Sequence, residues 1–83
     1  MITIYAKNNC GWCTKAKETA EEYGLKYVYK NVEDNFEYMM ELSDRKPDVK
    51  TMPQIWWHDR HIGGYTEFAK EIEETRSYGD GQV

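Results

Sequence analysis

The spacing of apolar residues along the chain predicts short strands that alternate with amphipathic helices. The β-prone residues 2–6 are followed by the turn-forming pair Asn8-Asn9, so a first strand ends before Cys10. From Trp12 onward, apolar residues recur at helical spacing between charged ones, until Gly24 supplies a C-terminal stop. A cysteine therefore stands where the first strand passes into the first helix.

The pattern predicts a second strand and a second helix further along. Residues 27–32 alternate as a strand does, and Asp34 and Glu37 have the spacing of an acidic N-cap and its partner. We expect this helix to run from about residue 35 to 46, because Pro47 blocks its continuation. At helical spacing, four residues form one stripe along this helix, namely Phe36, Met39, Met40 and Ser43.

The remainder of the chain predicts a β-hairpin and a final helix. Pro53 opens the run 54–57, where a proline at a strand's first residue removes no ladder bond that the sheet needs. A turn leads to a short strand at 61–62, which Gly63-Gly64 breaks. Beyond the last helix, a polar tail from about Ser77 is expected to fray. The apolar residues that mark this helix are Tyr65, Phe68, Ala69 and Ile72.

The order strand, helix, strand, helix, strand, strand, helix predicts an α/β fold with a mixed four-stranded sheet and helices on both faces. A chain of 83 residues closes one hydrophobic core, so residues 1–83 are expected to form a single domain. Large aromatic rings suit so small a core, and we assign Trp56 and Trp57 to the core and to the cover of the sheet.

The charge pattern excludes some classes of function. The formal net charge is −4, and basic residues are scattered among acidic ones, which argues against nucleic acid as a partner. No basic segment followed by a long apolar run occurs at the N-terminus, so we expect neither a signal peptide nor a membrane span. A cytoplasmic monomer is the expectation.

The chain has two cysteines, Cys10 and Cys13, separated by two residues. A bridge across so short a loop removes little entropy from the unfolded chain, so it is a poor structural staple. Chemistry at Cys10 is favoured by its position at or next to a helix N-cap, where the amides of Trp12 and Cys13 and the helix dipole favour a thiolate. Lys7 can add a positive charge nearby. We expect an exposed nucleophile at Cys10 and a shielded resolving thiol at Cys13.

Two other interpretations of the cysteine pair are less favoured. Half of a zinc site would need further ligands, yet no second Cys-x-x-Cys occurs, and His58 and His61 lie on the predicted hairpin. An inert buried pair conflicts with the exposed position that precedes a helix. A redox pair beside a strand–helix–strand unit is the interpretation that the sequence favours.

Four segments, taken together, resemble the glutaredoxins, within the wider thioredoxin-like group, over nearly the whole chain. They are Ile4 to Cys13, Thr51-Met52-Pro53, His61 to Tyr65, and Thr66-Glu67 at the start of the last helix. The resemblance implies glutathione chemistry, in which the first cysteine attacks a disulfide and reduced glutathione regenerates the dithiol. No metal is expected.

The resemblance also implies roles for individual residues. Cys10 matches the nucleophile, Cys13 the resolving thiol, and Lys7 the cation near the thiolate and the glycyl carboxylate of glutathione. In the segment Thr51-Met52-Pro53, Met52 matches the residue whose backbone pairs with the tripeptide. Pro53 matches a cis-proline that faces the cysteines. The segment around the γ-glutamyl end is matched by Gly64, Tyr65, Thr66 and Glu67. Trp12 is expected to be exposed and to pack on a bound peptide or protein.

The sequence departs from the family pattern at two places. Gly11 and Trp12 replace the usual proline and tyrosine, and Thr66-Glu67 replaces a pair of aspartates. The first departure keeps an iron-sulfur cluster shared between two chains open as an alternative. The leading hypothesis is a glutathione-dependent reductase of protein disulfides, with ribonucleotide reductase among the candidate partners. The runner-up is a redoxin that thioredoxin reductase reduces.

Overall fold

The computed structural model describes the backbone of residues 1–80 and the side chains of residues 1–74. Seven elements follow one another in the predicted order. The helix α3 continues past Ser77, where the sequence predicted a polar tail, and residues 81–83 lie outside the described part. The elements are β1 Ile2–Ala6, α1 Gly11–Glu22, β2 Tyr27–Asn31, α2 Phe36–Arg45, β3 Gln54–Trp57, β4 Arg60–Gly63 and α3 Tyr65–Asp80.

The four strands form one mixed sheet in the order β2-β1-β3-β4. β1 runs parallel to β2 and antiparallel to β3, and β3 pairs with β4 as an antiparallel hairpin. In the central pair, Tyr5 at the end of β1 lies opposite Gln54 at the start of β3. The loop that leaves β1 toward Cys10 therefore meets the segment that enters β3 through Pro53, at one edge of the sheet.

Both faces of the sheet are covered, as predicted. One face packs against α1 and α3, and the other packs against α2. Alternate side chains of each central strand supply the two cores, because neighbouring residues of a strand point to opposite faces. The α1/α3 core consists of Ile2, Ile4, Ala16, Ala20, Ile55, Phe68 and Ile72. The α2 core consists of Tyr5, Val32, Leu42 and Trp56.

The start of α2 differs from the prediction. Its N-cap is Asn35, whose side-chain oxygen accepts a hydrogen bond from the amide of Glu37 at 2.9 Å. The predicted cap, Asp34, belongs to the preceding turn, where its own amide donates to Asn31. Asparagine and aspartate cap helices about equally well, so the choice between them depends on position: Asp34 is used in the turn, and Asn35, directly before the helix, caps it.

The apolar stripe of α2 faces solvent instead of the core. The side chains of Phe36 and Met40 are 74% and 53% exposed, whereas Leu42 is buried. The face of α2 that meets the sheet also carries Glu41 and Arg45, because the sheet offers hydrogen-bond donors to the carboxylate and aromatic rings to the guanidinium. Hydrophobic spacing alone therefore indicates the wrong face of this helix.

The polar contacts beneath α2 centre on the carboxylate of Glu41. It accepts hydrogen bonds from the hydroxyl of Tyr5 and from Lys30, whose Nζ lies 2.5 Å away. The hydrogen bond from Lys30, aided by the one from Tyr5, lowers the pKa of Glu41, and burial raises that of Tyr5. The guanidinium of Arg45 lies 5.1 Å from the centre of the Trp56 ring. These contacts fasten α2 to the end of β1 from which the Cys10 loop leaves.

Candidate active site

Cys10 is the N-cap of α1, as the sequence predicted. Its backbone is extended, with φ −119°, and its Sγ accepts a hydrogen bond from the amide of Cys13 at 3.2 Å. Asn9 has a positive φ of 54°, a conformation that asparagine tolerates better than most residues, and it turns the chain from β1 into the helix. The sulfur of Cys10 therefore lies at the positive end of the α1 dipole.

The loop before Cys10 is held to the neighbouring strand. The amide of Asn8 donates to the carboxylate of Glu33 at 2.6 Å, and the side chain of Asn31 donates to that of Asn8 at 2.9 Å. Asn31 is the last residue of β2 and Glu33 follows it, and β2 runs parallel to β1. The loop is thus fixed at the edge of the sheet where both strands end.

Cys10 and Cys13 form a disulfide, with their Cα atoms 5.2 Å apart. Cys13 is fully buried, whereas Cys10 is only partly buried. The shielding of Cys13 is as the sequence analysis expected, whereas Cys10, expected to be exposed, is half-buried. A thiolate from outside can approach Cys10 and cannot reach Cys13 directly.

The peptide bond between Met52 and Pro53 is cis, as the resemblance implied. Pro53 is buried, and the carbonyl oxygen of Met52 lies 3.9 Å from Sγ of Cys10. The backbone of Met52 is therefore beside the reacting sulfur. An extended peptide that pairs with this backbone would pass directly over Cys10.

A groove of about 170 Å³ opens beside the disulfide. It contains every predicted substrate-binding residue except Lys7, which is exposed on the loop after β1. Three separate parts of the chain meet here, because the start of α1, the segment before β3 and the start of α3 converge at one edge of the sheet. The groove is lined by Trp12, Thr51, Met52, Pro53, Gly64, Tyr65, Thr66 and Glu67.

One wall of the groove is an aromatic pair. Trp12 is 62% exposed, and its ring stacks on that of Tyr65, with the centres 5.3 Å apart and the planes 28° from parallel. The hydroxyl of Tyr65 accepts a hydrogen bond from Thr19 at 3.4 Å. The sequence predicted that Trp12 is exposed and did not predict this stack, since nothing in local spacing links two residues on different helices.

The N-terminus of α3, which begins with Tyr65, also borders the groove. Glu67 accepts a hydrogen bond from the amide of Gly64 at 2.8 Å, which satisfies an amide at the start of this helix. Gly63 has a φ of 121°, and a Cβ there would lie 3.1 Å from the Glu67 side chain. Glu67 is therefore a helix cap in addition to lining the groove, a function that the sequence analysis did not assign.

The two histidines have partners away from the cysteines. His58 Nδ1 lies 2.9 Å from the N-terminal nitrogen of Met1, and His61 shares a hydrogen bond of 2.8 Å with the Gln54 side chain. Within residues 1–74, no group of three or more histidine, cysteine, aspartate or glutamate side chains is arranged to hold a metal ion. In the described part of the chain, no helix is both long enough and apolar enough to cross a membrane.

Comparison with known proteins agrees with this geometry. The glutaredoxin family model matches residues 2–62. Glutaredoxin 1 of Escherichia coli is 32% identical over 84 residues, which cover 86% of this chain and 91% of that protein.

Solved structures resemble the fold over most of its length. The reduced glutaredoxin of Escherichia coli superposes with a TM-score of 0.77 at 29% identity, covering 92% of this chain and 96% of that one. The glutaredoxin-like NrdH-redoxin of Escherichia coli, described as having a thioredoxin-like activity profile, gives a TM-score of 0.65 at 28% identity. It covers 77% of this chain and 82% of that one. With its cysteine pair at the head of α1, this chain belongs to the glutaredoxin family of thiol–disulfide oxidoreductases.

Proposed function

We propose that this protein is a glutathione-dependent oxidoreductase that reduces protein disulfides and mixed disulfides of glutathione through Cys10 and Cys13. The observation that carries the proposal is the accessible sulfur of Cys10 at a helix N-cap, with the buried Cys13 behind it and a groove beside it. A reaction that uses reduced glutathione needs a reducing compartment, so we infer that the protein acts in the cytoplasm.

The first step is attack by the Cys10 thiolate on a substrate disulfide. A bond forms between Cys10 and one substrate sulfur, and the other sulfur leaves as a thiolate and takes up a proton. The Cys13 amide, which donates to Cys10 Sγ in the oxidised protein, can donate to the thiolate of the reduced protein as well. The α1 dipole stabilises the same negative charge.

The second step closes the disulfide seen in the structure. Cys13 loses its proton and attacks Cys10, which releases the second substrate thiol and oxidises the protein dithiol by two electrons. One glutathione then opens the disulfide at the accessible Cys10, and Cys13 recovers its proton. A second glutathione attacks this mixed disulfide, so that glutathione disulfide leaves and the dithiol is restored.

The groove is suited to hold glutathione during these steps. The Met52 backbone, whose carbonyl oxygen lies 3.9 Å from the Cys10 sulfur, supplies the segment before β3 with which a tripeptide can pair. Lys7 is proposed to meet the glycyl carboxylate, and the segment from Gly64 to Glu67 the γ-glutamyl end. Trp12 is proposed to contact the larger partner in a protein disulfide, for which ribonucleotide reductase is one candidate.

The proposal is tested by turnover of a mixed disulfide of glutathione, coupled to glutathione and glutathione reductase. The wild-type protein should be active, and Cys10→Ser should have no activity above background. Cys13→Ser should still process the glutathione mixed disulfide, since that exchange needs one thiol, and should lose most activity on a protein disulfide. Equal rates for the wild type and Cys10→Ser would reject the proposal.

A second reductant is favoured by one observation, the similarity to the NrdH-redoxin with its thioredoxin-like activity profile. In this alternative, thioredoxin reductase and NADPH reduce the Cys10–Cys13 disulfide, and glutathione does not. Supplying each reductant separately to the oxidised protein and measuring the free thiols that appear decides between them. Reduction by glutathione alone supports the leading proposal.

A further inference from the structure

A second groove, separate from the one beside the disulfide, runs between α1 and α3. Its volume is about 330 Å³. It carries two exposed carboxylates, and among residues 1–74, whose side chains the structure describes, none of its lining residues is basic. The lining residues are Thr19, Glu22, Tyr23, Tyr65, Ala69 and Glu73.

This acidic groove continues from the active site through Tyr65. The Tyr65 ring lines both grooves, stacks on Trp12 on one side and meets Thr19 through its hydroxyl on the other. Along α1, Glu22 lies twelve residues after Cys10, or about 18 Å at 1.5 Å per residue. An extended chain covers that distance in roughly five residues.

We infer that the acidic groove binds a lysine or arginine side chain of a protein substrate whose reactive cysteine is at Cys10. This inference rests on the proposed reduction of protein disulfides. The carboxylates of Glu22 and Glu73 provide the charge complementary to a basic side chain, and the tyrosine rings give its alkyl stem and cationic head an aromatic surface. The basic residue would lie about four to five positions from the substrate cysteine.

The test is a single-turnover assay with prereduced protein and no glutathione. Each substrate is an extended peptide whose cysteine forms a mixed disulfide with 2-mercaptoethanol. The peptides carry lysine, glutamine or glutamate at the fourth or fifth position on either side of that cysteine. Released peptide thiol is separated by chromatography. At low salt, we expect the lysine peptide to react about three- to tenfold faster than the glutamate peptide when the varied residue lies on one particular side of the peptide cysteine.

The variant Glu22→Gln/Glu73→Gln should abolish this preference. The matched variant Glu18→Gln/Glu74→Gln changes the net charge equally on the same two helices, at exposed residues that do not line the groove, and should keep it. Both variants should reduce the disulfide of 2-mercaptoethanol at the wild-type rate, which shows that they are folded.

The possible results separate the two proposals. If the glutamine peptide is not reduced, the protein-disulfide function fails and the inference fails with it. If that peptide is reduced but the lysine and glutamate peptides react at equal rates, the inference alone is overturned. A preference that survives in Glu22→Gln/Glu73→Gln, or is equally lost in Glu18→Gln/Glu74→Gln, overturns it too.

Discussion

Removal of the Glu41 carboxylate should destabilise the protein mainly through the hydroxyl of Tyr5. Tyr5 is fully buried, so in Glu41→Ala its hydroxyl loses the carboxylate to which it donates, at a cost of about 1–3 kcal/mol. Loss of the Lys30 ion pair adds only about 0.2–1 kcal/mol, because these side chains are 22% and 39% exposed. Tyr5→Phe should cost less, about 0.5–1.5 kcal/mol, since Glu41 keeps Lys30 and has access to water.

A double-mutant cycle measures this difference. Urea unfolding of the wild type, the two single variants and the double variant gives the free energy of unfolding of each. In the Tyr5→Phe background, Glu41→Ala should cost only the ion pair, so the coupling between the two sites should be about 1–3 kcal/mol. The exposed Asp44→Ala on the same helix is the control, with an effect within about 0.5 kcal/mol. If Glu41→Ala costs the same in both backgrounds, the buried hydroxyl does not depend on Glu41 and the reasoning fails.

The same carboxylate has a pH signature. The hydrogen bonds from Lys30 and Tyr5 lower the pKa of Glu41 below its usual value of 4.5, so the folded protein takes up the proton less readily than the unfolded chain. This contribution to stability is present above pH 4.5 and is lost as the pH falls through the folded-state pKa. Glu41→Gln should therefore weaken the acid dependence of the free energy of unfolding, and an unchanged dependence would contradict the assignment.

Three further predictions concern α2, the active cysteine and the hairpin. Leu42→Ala should cost about 2–5 kcal/mol in urea unfolding and the exposed Met40→Ala less than about 0.5 kcal/mol; equal costs would show that the buried face of α2 is misassigned. In Cys13→Ser, the rate at which iodoacetamide alkylates Cys10 should reach half its maximum at a lower pH in the folded protein than in urea, because the helix N-terminus favours the thiolate. Identical pH profiles in the two conditions would refute this. Burial lowers the pKa of His61 below 6.5, so the midpoint of its NMR titration should lie below that value. The contribution of His61 to the free energy of unfolding should decrease as the pH falls below 6.5, and a titration midpoint above 6.5 would contradict this prediction.

Local signals in the sequence were sufficient for the order of elements and for the position of Cys10. A strand pattern that ends at Asn8-Asn9, followed by helical spacing, places the next residue at a helix N-terminus whatever the rest of the fold does. The cysteine spacing then puts Cys13 one turn inside the helix, on the face that packs on the sheet. These inferences hold because each depends on residues within one or two turns of one another.

The buried face of α2 required the tertiary structure, and the cap of α3 was missed by an argument from hydrophobic spacing. The stripe containing Phe36 and Met40 has helical spacing, yet α2 turns the face with Glu41 toward the sheet, where Tyr5 and Lys30 need a partner. Glu67 as the cap of Gly64 was likewise not anticipated. For α2, hydrogen bonds to groups elsewhere in the fold decide which face is buried, and hydrophobic periodicity does not report such partners. The bond between Gly64 and Glu67 joins residues three apart, so it is a local capping signal that hydrophobic periodicity does not report either.

By itself, the sequence determined a redox pair at the head of the first helix of an α/β domain. Only the tertiary structure brought Met52 and Pro53 beside that pair, stacked Trp12 on Tyr65, and opened the acidic groove between α1 and α3. The physical reason is that strand and helix formation depends on near neighbours, whereas a groove depends on strand order and register. Those are set by packing between segments far apart in the chain.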